Sequence, residues 1–203
     1  KHHSILFDNE FIQSKKYEEF WSEIKAGRQI SGDYIHIAKY QLETDELFNT
    51  PIITAGEYLS QNDLSIWIAR MMRISTGADI GFQNGGGTRT SIKEDDLITL
   101  AVLYQVWPFD NVVKTVYLTG AQIKSQMNNL IYDTELSNFE NDTVYKVATN
   151  DYTFDKTSNP FINGTDPFNT GIVLRDLAES ELIKQSLVYD LFYVDNEIIT
   201  VED

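Results

Sequence analysis

The sequence predicts an α+β fold in which a mixed sheet is flanked by helices. Apolar residues at helical spacing alternate along the chain with short β-type runs, and no segment repeats or is of low complexity. A composition that is 42% hydrophobic and 12% aromatic over 203 residues suffices for one sizeable core, with room for an extra arm. Strands and helices that intermix in this way point to a mixed sheet.

From the N-terminus, Tyr17, Phe20, Trp21 and Ile24 recur at helical spacing in a charged stretch, which predicts a short amphipathic helix. Tyr34 to Leu42 reads as a strand, and Asn49, Thr50 and Pro51 mark a turn. Residues 1–34 are therefore read as an N-terminal helical extension or linker, and 35–203 as the main domain. After Ser60, the residues Leu64, Trp67, Ile68, Met71 and Met72 fall on one face of a scaffold helix. Asp79 to Gln83 is a short strand that runs into Asn84, Gly85, Gly86, Gly87, Thr88 and Arg89. Strands are expected at Val112 to Leu118 and Val144 to Thr149. Thr119 and Gln122 fit a capping box opening a helix whose buried face is Ile123, Met127, Leu130 and Ile131. A last helix is expected at Asp176 to Leu187.

Charge and composition exclude several functions. A net charge of −15 leaves no basic stripe for nucleic acid or an anionic membrane, so isolated arginines must handle any phosphate. With no cysteine, disulfides, thiol chemistry and Cys-ligated zinc are excluded. No apolar run approaches the ~20 residues needed to cross a bilayer, and Lys1 does not begin a leader, so a soluble chain is expected. His2, His3 and His36 lack partners at metal-ligand spacing. Asp95 and Asp96 are neighbours and read as a solvated turn. Asp151 and Asp155 could form an acid/base pair, yet nothing in the sequence tunes them.

Chemistry concentrates at the glycine loop. Three consecutive glycines after a strand let main-chain N–H groups approach a ligand closely. The loop lacks the lysine of a P-loop and the spacing of a dinucleotide fingerprint. Arg89, two residues beyond the last glycine, adds a planar fork able to grip a phosphate or ribose oxygen beside that backbone.

Four motifs then follow in order. They are Asn84-Gly85-Gly86-Gly87-Thr88-Arg89, Val106-Trp107-Pro108-Phe109-Asp110-Asn111, Leu118-Thr119-Gly120-Ala121-Gln122 and Tyr145-Lys146-Val147-Ala148-Thr149-Asn150-Asp151-Tyr152. The series resembles the C-terminal domain of the 5'-nucleotidase and UDP-sugar hydrolase family, strongly from Ile80 to Tyr152 and faintly from Ile35 to the C-terminus. The resemblance implies a substrate-binding domain in which Asn84, Gly86, Gly87 and Arg89 meet the sugar and phosphates. It also implies that Phe109 and Tyr152 clamp the base between two rings. Opposed aromatics hold any base by its π-face, with little discrimination among bases.

The same resemblance implies a separate N-terminal metallophosphatase domain, in cis or in trans, that carries two divalent metal ions. No cofactor and no catalytic residue are then expected in this chain. The expected ligand is a nucleotide or nucleoside, and the expected location is secreted, periplasmic or cell-surface. Two departures stand out. Where the family has a Gly-Gly-Asp-Gly turn with a ribose-binding aspartate, this chain has Phe154-Asp155-Lys156-Thr157-Ser158-Asn159-Pro160-Phe161, and Asp155 substitutes only if the loop is reshaped. Where the family has an upstream phosphate-binding arginine, this chain has Glu57 and Tyr58. The alternative reading is a degenerate, non-catalytic domain for nucleoside binding or surface protein interaction.

Overall fold

The structure, a computed structural model, describes residues 45–156 and 160–199. The expected helix at Tyr17 to Ile24, the expected strand at Tyr34 to Leu42, and His2, His3, His36, Ser158 and Asn159 lie outside the described residues. The chain divides into two units, 1–47 and 48–203, and the second carries the elements described below.

Strand β1 (Pro51–Ala55) leads through Ser60 into helix α1 (Gln61–Thr76), whose N-terminus is closed by a reciprocal Ser60–Asp63 capping box. Leu64, Trp67, Ile68, Met71 and Met72 are all buried on the face that their spacing predicts. There follow β2 (Ile80–Gln83), β3 (Leu97–Thr99), α2 (Leu100–Val106), β4 (Val112–Thr119) and α3 (Gly120–Met127). After these come β5 (Ile131–Thr134), β6 (Val144–Asn150), the single turn α4 (Asp151–Phe154) and a 3-10 turn at Pro160–Asn163. The described residues end with β7 (Thr165–Val173), α5 (Leu174–Ser186) and β8 (Leu191–Phe192). The Thr119–Gln122 capping box opens α3 as expected. That helix stops at Met127, however, and Ile131 begins β5, because the chain must turn back to pair with β2. The turn with Asp95 and Asp96 is exposed, and Asp95 takes a positive φ of 66°.

A three-stranded sheet has the order β3-β1-β8 and a five-stranded one the order β5-β2-β6-β4-β7. In the larger sheet β2 and β6 run parallel, while β5, β4 and β7 are antiparallel to their neighbours, so the sheet is mixed. One hydrophobic cluster, built on α1, α5 and the smaller sheet, includes Trp67, Met72 and Ala148. A second includes Phe82, Val116, Leu118, Val147 and Phe161. Val147 and Ala148 are adjacent on β6 and point to opposite clusters, so this strand is covered on both faces. The approach of α1 to β2 is close enough that a Cβ on Gly81 would lie 2.0 Å from the Ala69 carbonyl oxygen. Arg73 ties α1 to β5 through Asp133 at 2.6 Å. Burial alone would lower the pKa of its guanidinium, but the hydrogen bonds and charges of Asp133 and Glu135 raise it. Among the described residues, no helix is long and apolar enough to cross a membrane.

Candidate functional site

Strand direction decides where the motifs meet. Because β2 and β6 are parallel neighbours, with Phe82 opposite Thr149, their carboxyl ends lie side by side. The glycine loop leaves the first end and α4 leaves the second, the place where open α/β sheets commonly take ligands. Strand β4 is antiparallel to β6, with Val113 opposite Asn150, so the Trp107 to Asn111 loop enters the sheet at the same edge. Segments far apart in sequence therefore surround one cleft of about 370 Å³, lined by Asn84, Gly86, Gly87, Arg89, Phe109, Asn111 and Tyr152.

The floor of this cleft is largely hydrogen-bonded, with Gln83 Nε2 buried and unpartnered among the described residues. Gly87 N donates to the Asn84 carbonyl at 2.9 Å, which closes the glycine turn. Thr88 is buried and its hydroxyl accepts from Ser65 at 2.8 Å and from the Trp107 indole at 3.1 Å. Arg89 N donates to the Val106 carbonyl at 2.8 Å. The glycine loop is thus fastened both to α1 and to the start of the aromatic loop. The Arg89 guanidinium is exposed, donates to the Gly86 carbonyl at 3.3 Å and lies 5.5 Å from the centre of the Phe109 ring.

Phe109 is 44% exposed and Tyr152 54% exposed, so each offers part of its ring to the cleft that both line. Phe109 is carried on a loop strapped by Arg175, itself 3% exposed. Its guanidinium donates to the Trp107 carbonyl at 2.9 Å, pairs with Asp110 and stacks on Tyr104 at 3.5 Å. Leu174 N adds a bond to the Asn111 carbonyl at 2.8 Å. Tyr152 sits on α4, capped by Asn150, and its ring faces the Lys156 ammonium at 4.3 Å.

Six of the seven residues expected at the site line the cleft; Asp155 does not. Its carboxylate is held by Lys114 at 2.8 Å and 2.9 Å. Asp151 accepts from Tyr152 N at 2.8 Å, so the imagined acid/base pair is engaged on two separate partners. Glu57 accepts from Val194 N at 3.1 Å and Tyr58 is 59% exposed; neither lines the cleft. Sequence reasoning did not single out Asn111, Lys156, Asn150 or Gln83. Asn111 and Asn150 stand inside the quoted motifs, two residues from each aromatic, and that proximity was the available signal. Among the described residues, no group of three or more His, Cys, Asp or Glu could hold a metal ion.

Residues 43–139 match the family model described as 5'-nucleotidase, C-terminal domain. The trifunctional nucleotide phosphoesterase protein YfkN of Bacillus subtilis (strain 168) is 39% identical over 88 residues, covering 42% of this chain and 6% of that protein. A 5'-nucleotidase precursor from Thermus thermophilus superposes with a TM-score of 0.59 at 17% identity, covering 73% of this chain and 39% of that one. The NAD nucleotidase of Haemophilus influenzae gives 0.60 at 17% identity, covering 73% and 38%. At that identity the two structures establish the shared fold. The chain spans only a minor part of the length of each of these relatives.

Proposed function

We propose, from the premise that this chain carries the C-terminal domain of a 5'-nucleotidase-type protein over residues 43–139, that its cleft binds a nucleotide for hydrolysis by a separate metallophosphatase domain. The supporting observation is the cleft itself, in which two exposed aromatic rings and an exposed arginine share the wall of a glycine turn. Rings of that size and exposure suit the faces of a base, and each stacked contact is worth roughly 1–3 kcal/mol by analogy with single-stranded nucleic-acid sites. Arg89 suits a phosphate oxygen, and the amide of Asn84 a phosphate or sugar oxygen. Gly86 leaves the space between them open, since a Cβ there would come within 3.8 Å of Asn84 Nδ2 and 3.9 Å of Arg89 Nη1.

The chain's own residues bind and orient in this reading. Divalent metal ions held by a separate metallophosphatase domain would supply a Lewis acid and an activated water, while Asn84, Arg89, Phe109 and Tyr152 hold the ligand. Nucleotide turnover outside the cytoplasm is the matching setting, in a secreted, periplasmic or surface protein. A second reading is favoured by one observation: with Asp155 committed to Lys114, the expected ribose carboxylate is not offered to the cleft. In that reading the domain is non-catalytic and binds a nucleoside or a protein surface.

Calorimetric titration with AMP, adenosine and UDP-glucose separates the two. The nucleotide reading expects AMP to bind more tightly than adenosine. Failure of all three to bind would remove it and leave the second reading.

A further inference from the structure

Asn150 is completely buried at the carboxyl end of β6, beneath the cleft. As N-cap of α4, its Oδ1 accepts from Thr153 N at 2.7 Å. A backbone N–H can only donate, so this bond fixes which end of the Asn150 amide is oxygen. The other end is then NH2, and both its hydrogens are committed, one to Gln83 Oε1 at 2.6 Å and one to Asn84 Oδ1 at 2.9 Å. The Thr153 hydroxyl also reaches Asn84 Oδ1, at 3.2 Å. Polarity therefore passes from a backbone amide through Asn150 to Asn84. The Asn84 oxygen is held inward, and its nitrogen is left beside Gly86, where Arg89 Nη1 also stands.

From this we infer that Asn150 is a positioning residue, which locks Asn84 with its N–H2 toward the cleft. Combined with Arg89, the space over Gly86 presents hydrogen-bond donors from both side chains. It accepts a group with free lone pairs, such as a phosphate or carboxylate oxygen, and disfavours a group that must donate. Asn150 does so while capping the turn that carries Tyr152, so one buried amide sets both the polar and the aromatic side of the site. The expected effects on ligands rest on the nucleotide-binding reading; the orientation of Asn84 does not.

Asn150→Asp tests the idea with little change of shape. The carboxylate still accepts from Thr153 N, so α4 keeps its cap, but it can donate nothing to Asn84. Asn84 then turns its nitrogen inward and shows its oxygen to the ligand. Two measurements on the whole chain follow. Hydrogen exchange of the Asn84 side-chain amide, followed by NMR, should be fast in the parent and slowed in Asn150→Asp. AMP affinity should fall by about tenfold or more, the scale of a hydrogen bond to a charged group, with adenosine losing less than about threefold. Asn150→Ser keeps a neutral capping oxygen and replaces the two amide donors by one hydroxyl on a shorter side chain; it should shift AMP in the same direction, which separates orientation from the added negative charge. Unchanged amide exchange in Asn150→Asp would overturn the inference. So would equal losses for AMP and adenosine in both variants, because that pattern belongs to a structural residue. If the parent binds neither ligand, the nucleotide reading falls, and the exchange measurement alone decides the role of Asn150.

Discussion

At the floor of the cleft, Gln83, Thr88 and Asn150 are at most 2% exposed and are held by side-chain hydrogen bonds. At its rim, Phe109 and Tyr152 keep 44% and 54% of their surface exposed and lie beside the Arg89 and Lys156 cations. Folding therefore fixes the floor before any ligand arrives, since a buried polar group without its partner costs about 1–3 kcal/mol. Rim rings bury only about half of their surface, and on the nucleotide-binding proposal their free faces serve the ligand. Polarity is thus specified at the floor and tolerance at the rim. Changes at the floor should register as lost stability or, where they turn Asn84, as lost affinity, and changes at the rim as lost affinity alone.

The largest effect is expected at Gly87. A Cβ there would lie 2.6 Å from Gln83 Nε2, which has no hydrogen-bond partner among the described residues, and 3.2 Å from the Asn84 carbonyl oxygen. Gly87→Ala should lower unfolding free energy by up to about 3 kcal/mol, as overpacking does. Thermal unfolding that stays within a degree of the parent would show that Gln83 withdraws easily, and that the floor is softer than the rim comparison supposes.

Arg89→Ala comes next, at the boundary between the two regions. The side chain is exposed, so stability should hold, while AMP affinity should fall by about 2 kcal/mol, the scale of a charge-assisted hydrogen bond. Adenosine, which lacks the phosphate, should lose much less. Calorimetry with both ligands checks this, and equal losses would mark Arg89 as structural.

Phe109→Ala and Tyr152→Ala should each weaken AMP and adenosine alike, by about 1 kcal/mol or somewhat more, with the unfolding temperature unmoved. A large loss of stability in either would place that ring in the fold and not at a binding rim. The smallest effect belongs to Gly86→Ala, whose added methyl meets only ordinary contacts with Asn84 and Arg89. The chain should fold normally and bind AMP a few-fold more weakly, by about 1 kcal/mol or less. Unaltered AMP binding would mean that the ligand oxygen does not sit over Gly86.

Much of this architecture is legible in one dimension. The buried face of α1, the Thr119–Gln122 cap, β2, β4, β6 and α5 follow from periodicity and capping residues, because those signals depend on neighbours a few positions away. The expected boundaries of α5, Asp176 to Leu187, differ by one or two residues from Leu174–Ser186. Elements whose stabilisation is not local were missed. Strand β7 is exposed along most of its length and interrupted by Asp166, Pro167 and Gly171, so it shows no alternation; its pairing with β4 makes it a strand. Ile131 carries an apolar signal that suits a helix face equally well, and only the pairing of β5 with β2 decides for a strand.

The candidate ligand groups stand in the linear chain: a glycine turn, one arginine and two aromatics in ordered motifs. Their meeting in one cleft is a property of the folded molecule. Strands β2 and β6 are parallel and β4 runs against them, so three loops separated along the chain emerge at one edge of the sheet. Strand direction and order are set by which faces can be buried together, a property of the whole core that no local window contains. For the same reason the tie from Asn150 to Asn84, 66 positions apart, is invisible in the sequence. A side-chain amide reads alike in any context, and it acquires a fixed polarity only when a backbone N–H and two side-chain acceptors close around it.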